Sequence, residues 1–108
     1  MIRYSVMYPN EEGKFFDLDY YITKHMAIVK SLPEVRGVTV EAGISAKEPG
    51  TRAPFICIAN IYYEDEAAFR RSFEPNSARL RADIVNFSDI EPVREIGRVA
   101  DHVWFKEG

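Results

Sequence analysis

The stretch PFICIANIYY, residues 54 to 63, is apolar on both sides of its backbone. Side chains alternate along a strand. Ile56, Ile58 and Tyr62 therefore point one way, and Phe55, Ala59, Ile61 and Tyr63 the other. Such a strand must be covered twice, and that demand limits every fold open to the chain.

Three other runs carry the β-branched and aromatic residues of strands, bounded by turn residues. They are IRYSVMY (2–8), closed by Pro9-Asn10, then RGVTVEAGI (36–44) and PVREIGRVA (92–100). Helices are expected between them. Asp17 is placed to cap one that runs to about Ser31, where Leu32-Pro33 stops it, and Asp65 to cap another over 65–73. Pro75-Asn76 breaks that segment, and Ser77 starts a further helix through SARLRADIVNF. The order β-α-β-β-α-β predicts an α+β, ferredoxin-like sandwich with an antiparallel four-stranded sheet and both helices on one face. A chain of 108 residues makes one domain, taken as residues 1–100, followed by a tail, 101–108.

Two helices cover one sheet face only. The other would be an exposed apolar patch, so a homodimer through sheet faces is expected. The other available cover is the tail DHVWFKEG, or a long loop, folded across the sheet.

Charge and motifs narrow the function. Seventeen acidic against fourteen basic residues, with no run of like charge, disfavour a nucleic-acid partner. No apolar run has transmembrane length, and the N-terminus does not read as a signal peptide; no membrane partner and a cytoplasmic setting are expected. Cys57, the sole cysteine, sits among isoleucines as an inert core thiol. His25, Cys57 and His102 lack metal-ligand spacing, and His25 as a haem ligand would stand without support elsewhere. There is no GxGxxG or phosphate loop, so no cofactor is expected.

The first helix holds the most informative residue. On a wheel of 100° per residue, Leu18, Tyr21, Ile22, His25, Ile28, Val29 and Leu32 form one stripe with His25 at its middle, while Tyr20 points to solvent. A buried imidazole needs partners for both nitrogens or water in a cavity. In SARLRADIVNF, Leu80, Ile84 and Phe87 face inward with Asp83 at their edge, where it can orient the His25 ring. The alternatives are a core histidine with one hydrogen bond, and a solvated Asp83 or one paired with Arg79.

These residues carry a resemblance. The pattern F-D-x-x-Y-Y-x-x-x-H (Phe16, Asp17, Tyr20, Tyr21, His25) is followed by Ala53-Pro54-Phe55 and by D-x-x-N-F-S-D-I-x-P-V (Asp83, Asn86, Phe87, Ser88, Asp89, Ile90, Pro92, Val93). Over Ile2 to about Gly97 the chain resembles the EthD family, named for a protein associated with ethyl tert-butyl ether degradation. The resemblance implies a dimeric α/β barrel with a cleft between sheet and helices in each subunit. Family members often carry His-x-Pro-Leu after the tyrosines. Here Met26-Ala27-Ile28 follows His25, so the helix is expected to continue smoothly.

Function is expected to be cofactor-independent acid–base chemistry, of oxidoreductase/monooxygenase or isomerase/cyclase type, on an apolar, aromatic or polyketide-like substrate. His25, Asp83 and Tyr21 are its candidate catalytic residues, and Tyr4, Ile58, Tyr62 and Phe87 its candidate substrate contacts. The alternative is a non-catalytic accessory protein that holds a small apolar ligand.

Overall fold

A computed structural model of the chain describes residues 1–106. Four strands, β1 (Ile2–Pro9), β2 (Gly37–Ala42), β3 (Phe55–Tyr63) and β4 (Val93–Arg98), form one antiparallel sheet in the order β2-β3-β1-β4. The helical segments lie between β1 and β2 and between β3 and β4, completing the expected β-α-β-β-α-β order.

Alternation sorts the sheet into two faces. Tyr4 pairs with Ile61 and Ile96, Val6 with Ala59 and Arg94, and Tyr8 with Cys57. Directly paired residues share a face, and this one packs on the helices: Tyr4, Tyr8, Cys57, Ala59, Ile61 and Tyr63 are all buried. The opposite face presents Met7, Ile58, Tyr62 and Val93, with a polar strip at its centre. There Ser5 Oγ donates to Asn60 Oδ1 (2.6 Å), and Asn60 Nδ2 donates to Thr39 Oγ1 and Glu41 Oε2 (3.1 Å each). Among the described residues no helix covers this face. The tail reaches one corner of it, Trp104 standing edge-on to Tyr62 with ring centroids 5.7 Å apart, while Val103 and Phe105 stay exposed. The last two residues of the tail lie outside the described residues.

The first helix does not run smoothly. Asp17 caps it as expected, its carboxylate accepting from Tyr20 N at 3.0 Å. One α-turn (Leu18–Tyr20) is followed by a π-helical turn (Tyr21–His25) and a second α segment (Met26–Lys30). The π turn closes when Met26 N–H bonds Tyr21 O, which accommodates one residue more than an α-turn. The extra residue shifts the inward stripe. Ile22 is turned out to 40% exposure and Met26 turned in to 1%, correcting the wheel at both positions.

The second helix (Glu66–Ser72) begins at the expected cap, Asp65, whose carboxylate accepts from Ala68 N at 2.8 Å. Pro75 does not act as a breaker. It lies in the first turn of the third helix (Glu74–Ala82), where its missing N–H costs no intrahelical bond. Helix therefore starts at Glu74 rather than Ser77 and tightens into a 3-10 turn over Asp83–Asn86.

A clip joins this turn to the start of the first helix. Asp17 N donates to Phe87 O (2.7 Å), Ser88 Oγ to Phe15 O (2.8 Å), and Phe15 N to Asp89 Oδ1 (2.9 Å). Phe16 and Ser88 form an isolated bridge beside them. Phe87, fully buried, packs against Tyr8, Phe16 and Tyr21 at ring-centroid distances of 4.9–5.9 Å.

Candidate active site

The π turn and the 3-10 turn face each other, and between them His25 meets Asp83. His25 Nδ1 lies 2.9 Å from Asp83 Oδ2. The other carboxylate oxygen accepts from the Tyr20 hydroxyl (2.8 Å) and from Asn86 Nδ2 (2.9 Å). Burial pushes the Asp83 carboxyl up, but the Asn86, His25 and Tyr20 donors together hold it below its ordinary value. An ionised carboxylate can only accept. The Nδ1 proton is therefore on the imidazole, and Nε2 carries the lone pair.

The ring is held from both sides. Tyr21 stacks on it (5.2 Å between centroids, 15° between planes), and Phe87 packs at 4.7 Å. Burial lowers the His25 pKa, with the Asp83 carboxylate pulling the other way. Burial thus favours the neutral ring. Among the described residues no protein group bonds Nε2, and no buried polar side-chain atom lacks a partner. Nε2 is thus the nitrogen open to the cavity that His25 lines.

That cavity has a volume of about 120 Å³ and lies between β1, β3 and β4 and the first and third helices. Tyr4, Tyr8, Tyr21, Met26, Val29 and Leu80 are among the side chains of its wall, and Arg81 and Arg94 supply its charge. Burial raises the phenol pKa of Tyr4, Tyr8 and Tyr21, so these hydroxyls keep their protons.

The structure brings together His25, Asp83, Tyr21 and Tyr4, four of the seven residues expected at the site. Phe87 supports the imidazole without lining the cavity. Ile58 and Tyr62 are corrected: strand parity places both on the opposite sheet face, away from His25. Tyr20, expected in solvent, reaches over Phe87 to bond Asp83. Arg81 and Arg94 were missed; a short edge strand of mixed charge, REIGR, gave no sign of which side faces inward. Cys57 is fully buried, and desolvation pushes its thiol up to about 12, the inert state expected. Among the described residues no group of three or more His, Cys, Asp or Glu side chains could hold a metal ion, and no helix is long and apolar enough to cross a membrane.

Solved structures share this architecture. An EthD-like protein from Ralstonia eutropha JMP134 is 30% identical, covers 95% of both chains and superposes with a TM-score of 0.88. An EthD family protein from Bacillus halodurans C-125 is 18% identical over 91% of this chain and 97% of its own (TM-score 0.70). HapK from Hahella chejuensis is 16% identical over 100% and 98% (TM-score 0.56). The latter two are alike in fold alone. No curated protein matches the chain. The EthD domain model matches residues 12–91, which include the helix bearing His25, the turn bearing Asp83 and the clip between them; the chain belongs to the EthD family.

Proposed function

We propose that this EthD-family chain is a cofactor-independent enzyme in which His25 moves a proton on a small, largely apolar organic substrate. One observation carries the reading: His25, bonded through Nδ1 to the Asp83 carboxylate, lines a largely apolar cavity, which leaves Nε2 as the base in this reading. Nε2 takes a proton from an acidic C–H or O–H of the ligand, and Asp83 stabilises the imidazolium that forms. Return of the proton to another atom completes an isomerisation or a cyclisation, with the imidazole regenerated. An oxidation would need dioxygen as a second substrate, reduced by the carbanion or phenolate that His25 uncovers. Tyr21 holds the ring in place by stacking. A cavity of about 150 Å³ in a protein core holds benzene, so this one takes one ring or a short chain and leaves any remainder outside.

The uncovered sheet face supports a homodimer, in which a second copy closes a barrel over Met7, Ile58 and Tyr62.

The test compares His25→Ala with wild type on quinols, lactones and polyketide analogues, with binding followed separately by calorimetry. Turnover should fall about 10²–10⁴-fold, the usual worth of acid–base help, while ligands still bind. If wild type turns over none of them and His25→Ala changes neither affinity nor fold, a non-catalytic ligand-binding protein replaces this reading.

A further inference from the structure

The cavity is apolar in its walls and one-signed in its charge. None of its lining residues is Asp or Glu, whereas Arg81 and Arg94 both border it. Asp83 acts on it only through His25. Among the described residues neither guanidinium is neutralised in the way others are. Arg3, Arg36, Arg70 and Arg71 each contact a carboxylate at 2.5–2.7 Å. Arg94 comes no nearer one than 3.7 Å, to a Glu91 side chain that is almost fully exposed, although its own side chain is two-thirds removed from water. Among the described residues, Arg81 makes no ion pair or side-chain hydrogen bond.

The two cations come from different elements, the third helix and β4, and converge on one place. Both act on the Tyr4 phenol, pulling against the burial that raises its pKa, and Arg94 acts on Tyr8 as well. Both residues keep access to solvent, so an anion entering the cavity can reach their guanidinium groups. The planar fork of a guanidinium matches a carboxylate bidentately.

We propose that the cavity is built for a small organic acid, whose carboxylate sits between Arg81 and Arg94 while its ring or short chain enters the apolar wall toward His25 Nε2. The inference rests on the His25 reading for its chemistry, but not for its binding. The carboxylate fixes the ligand's end, so the proton that Nε2 takes lies on the carbon or hydroxyl a few bonds away. Negative charge left by that proton develops within the field of the same two arginines.

The experiment titrates the full chain with matched acids and amides (benzoate and benzamide, phenylacetate and phenylacetamide, sorbate and sorbamide), read by calorimetry and by the His25 ring signals in NMR. Acids should bind about ten- to a hundredfold more tightly than their amides, as charge-assisted hydrogen bonds predict. Arg94→Gln and Arg81→Gln should each cut that preference, and together abolish it, with amide binding weakened far less than acid binding. The wild-type comparison requires no variant to fold. Amides that bind as well as acids, acids that leave the His25 signals unmoved at millimolar concentration, or a preference that survives the double variant would each overturn the proposal. His25→Ala separates the two readings. Lost turnover with the acid preference intact supports both; a His25-dependent turnover of neutral ligands alone keeps the base and removes the acid site.

Discussion

Ile58→Asp tests how the sheet is covered. Ile58 lies on β3 opposite Met7 and Glu41, on the face that carries no helix. In an isolated chain the new carboxylate would be solvated and cost little. Covered by a second copy, it would be buried without a partner, at about 3 kcal/mol or more. A two-fold dimer carries the substitution twice, roughly 6 kcal/mol, and every 1.4 kcal/mol is a decade in affinity. Dissociation should therefore strengthen by about four decades, so a nanomolar dimer becomes monomeric at micromolar concentration. Light scattering should then give 12.4 kDa, with far-UV circular dichroism unchanged. Tyr63→Asp is the contrasting case. Tyr63 is fully buried on the helix side, its hydroxyl 3.0 Å from Ser72 Oγ and its ring edge-on to Phe69, so the same charge there should unfold the monomer. The reasoning is refuted if wild type itself scatters as 12.4 kDa at micromolar concentration, or if Ile58→Asp leaves a dimer intact.

Asp83→Asn should lower the imidazole pKa further, because the carboxylate favours the protonated ring; superimposable NMR titrations of His25 in the two proteins would show that the contact has no electrostatic effect. Burial already holds that pKa below its ordinary 6.5, so between the two values the unfolded chain binds more protons than the folded one, and stability falls as pH drops through that window. Thermal melts from about pH 7 to about pH 5 should show a loss of Tm that His25→Gln makes smaller, and equal slopes would contradict it. Phe87→Ala removes a ring packed against five others, and denaturant titration should find the fold weaker by about 3–5 kcal/mol; a cost under about 1 kcal/mol would mean that the aromatic cluster closes over the gap.

Much of this fold is legible from local rules. Period-two alternation locates four strands, and Asp17 and Asp65 mark two helix starts because their carboxylates accept the first free N–H groups. The His25–Asp83 pair is legible too, as two polar residues on stripes otherwise apolar. What fails does so for identifiable reasons. A wheel assumes one pitch, and the π turn at Tyr21–His25 breaks that assumption, exchanging Ile22 for Met26. Ile58 and Tyr62 are expected beside Tyr4 because alternation tells which residues of one strand share a side, but not which side meets the helices. That depends on register: Tyr4 pairs with Ile61, one step out of phase with both. Asn60, inconspicuous in an apolar run, organises the polar strip that interrupts the open face.

The clip of Phe15, Phe16 and Asp17 to Phe87, Ser88 and Asp89 bears on how a ligand exchanges. It fastens the two helical walls at the end where Tyr21, His25 and Phe87 lie, with one main-chain bond and two bonds from main chain to side chain. At the other end Ser77 and Arg81 stand on the third helix, across from Arg94 at the sheet's edge, and a bidentate Arg71–Glu34 pair ties the second helix to the turn after the first. Arg81 and Arg94 are exposed and His25 is buried, so an acid that entered past the arginines would meet positive charge first and the imidazole last.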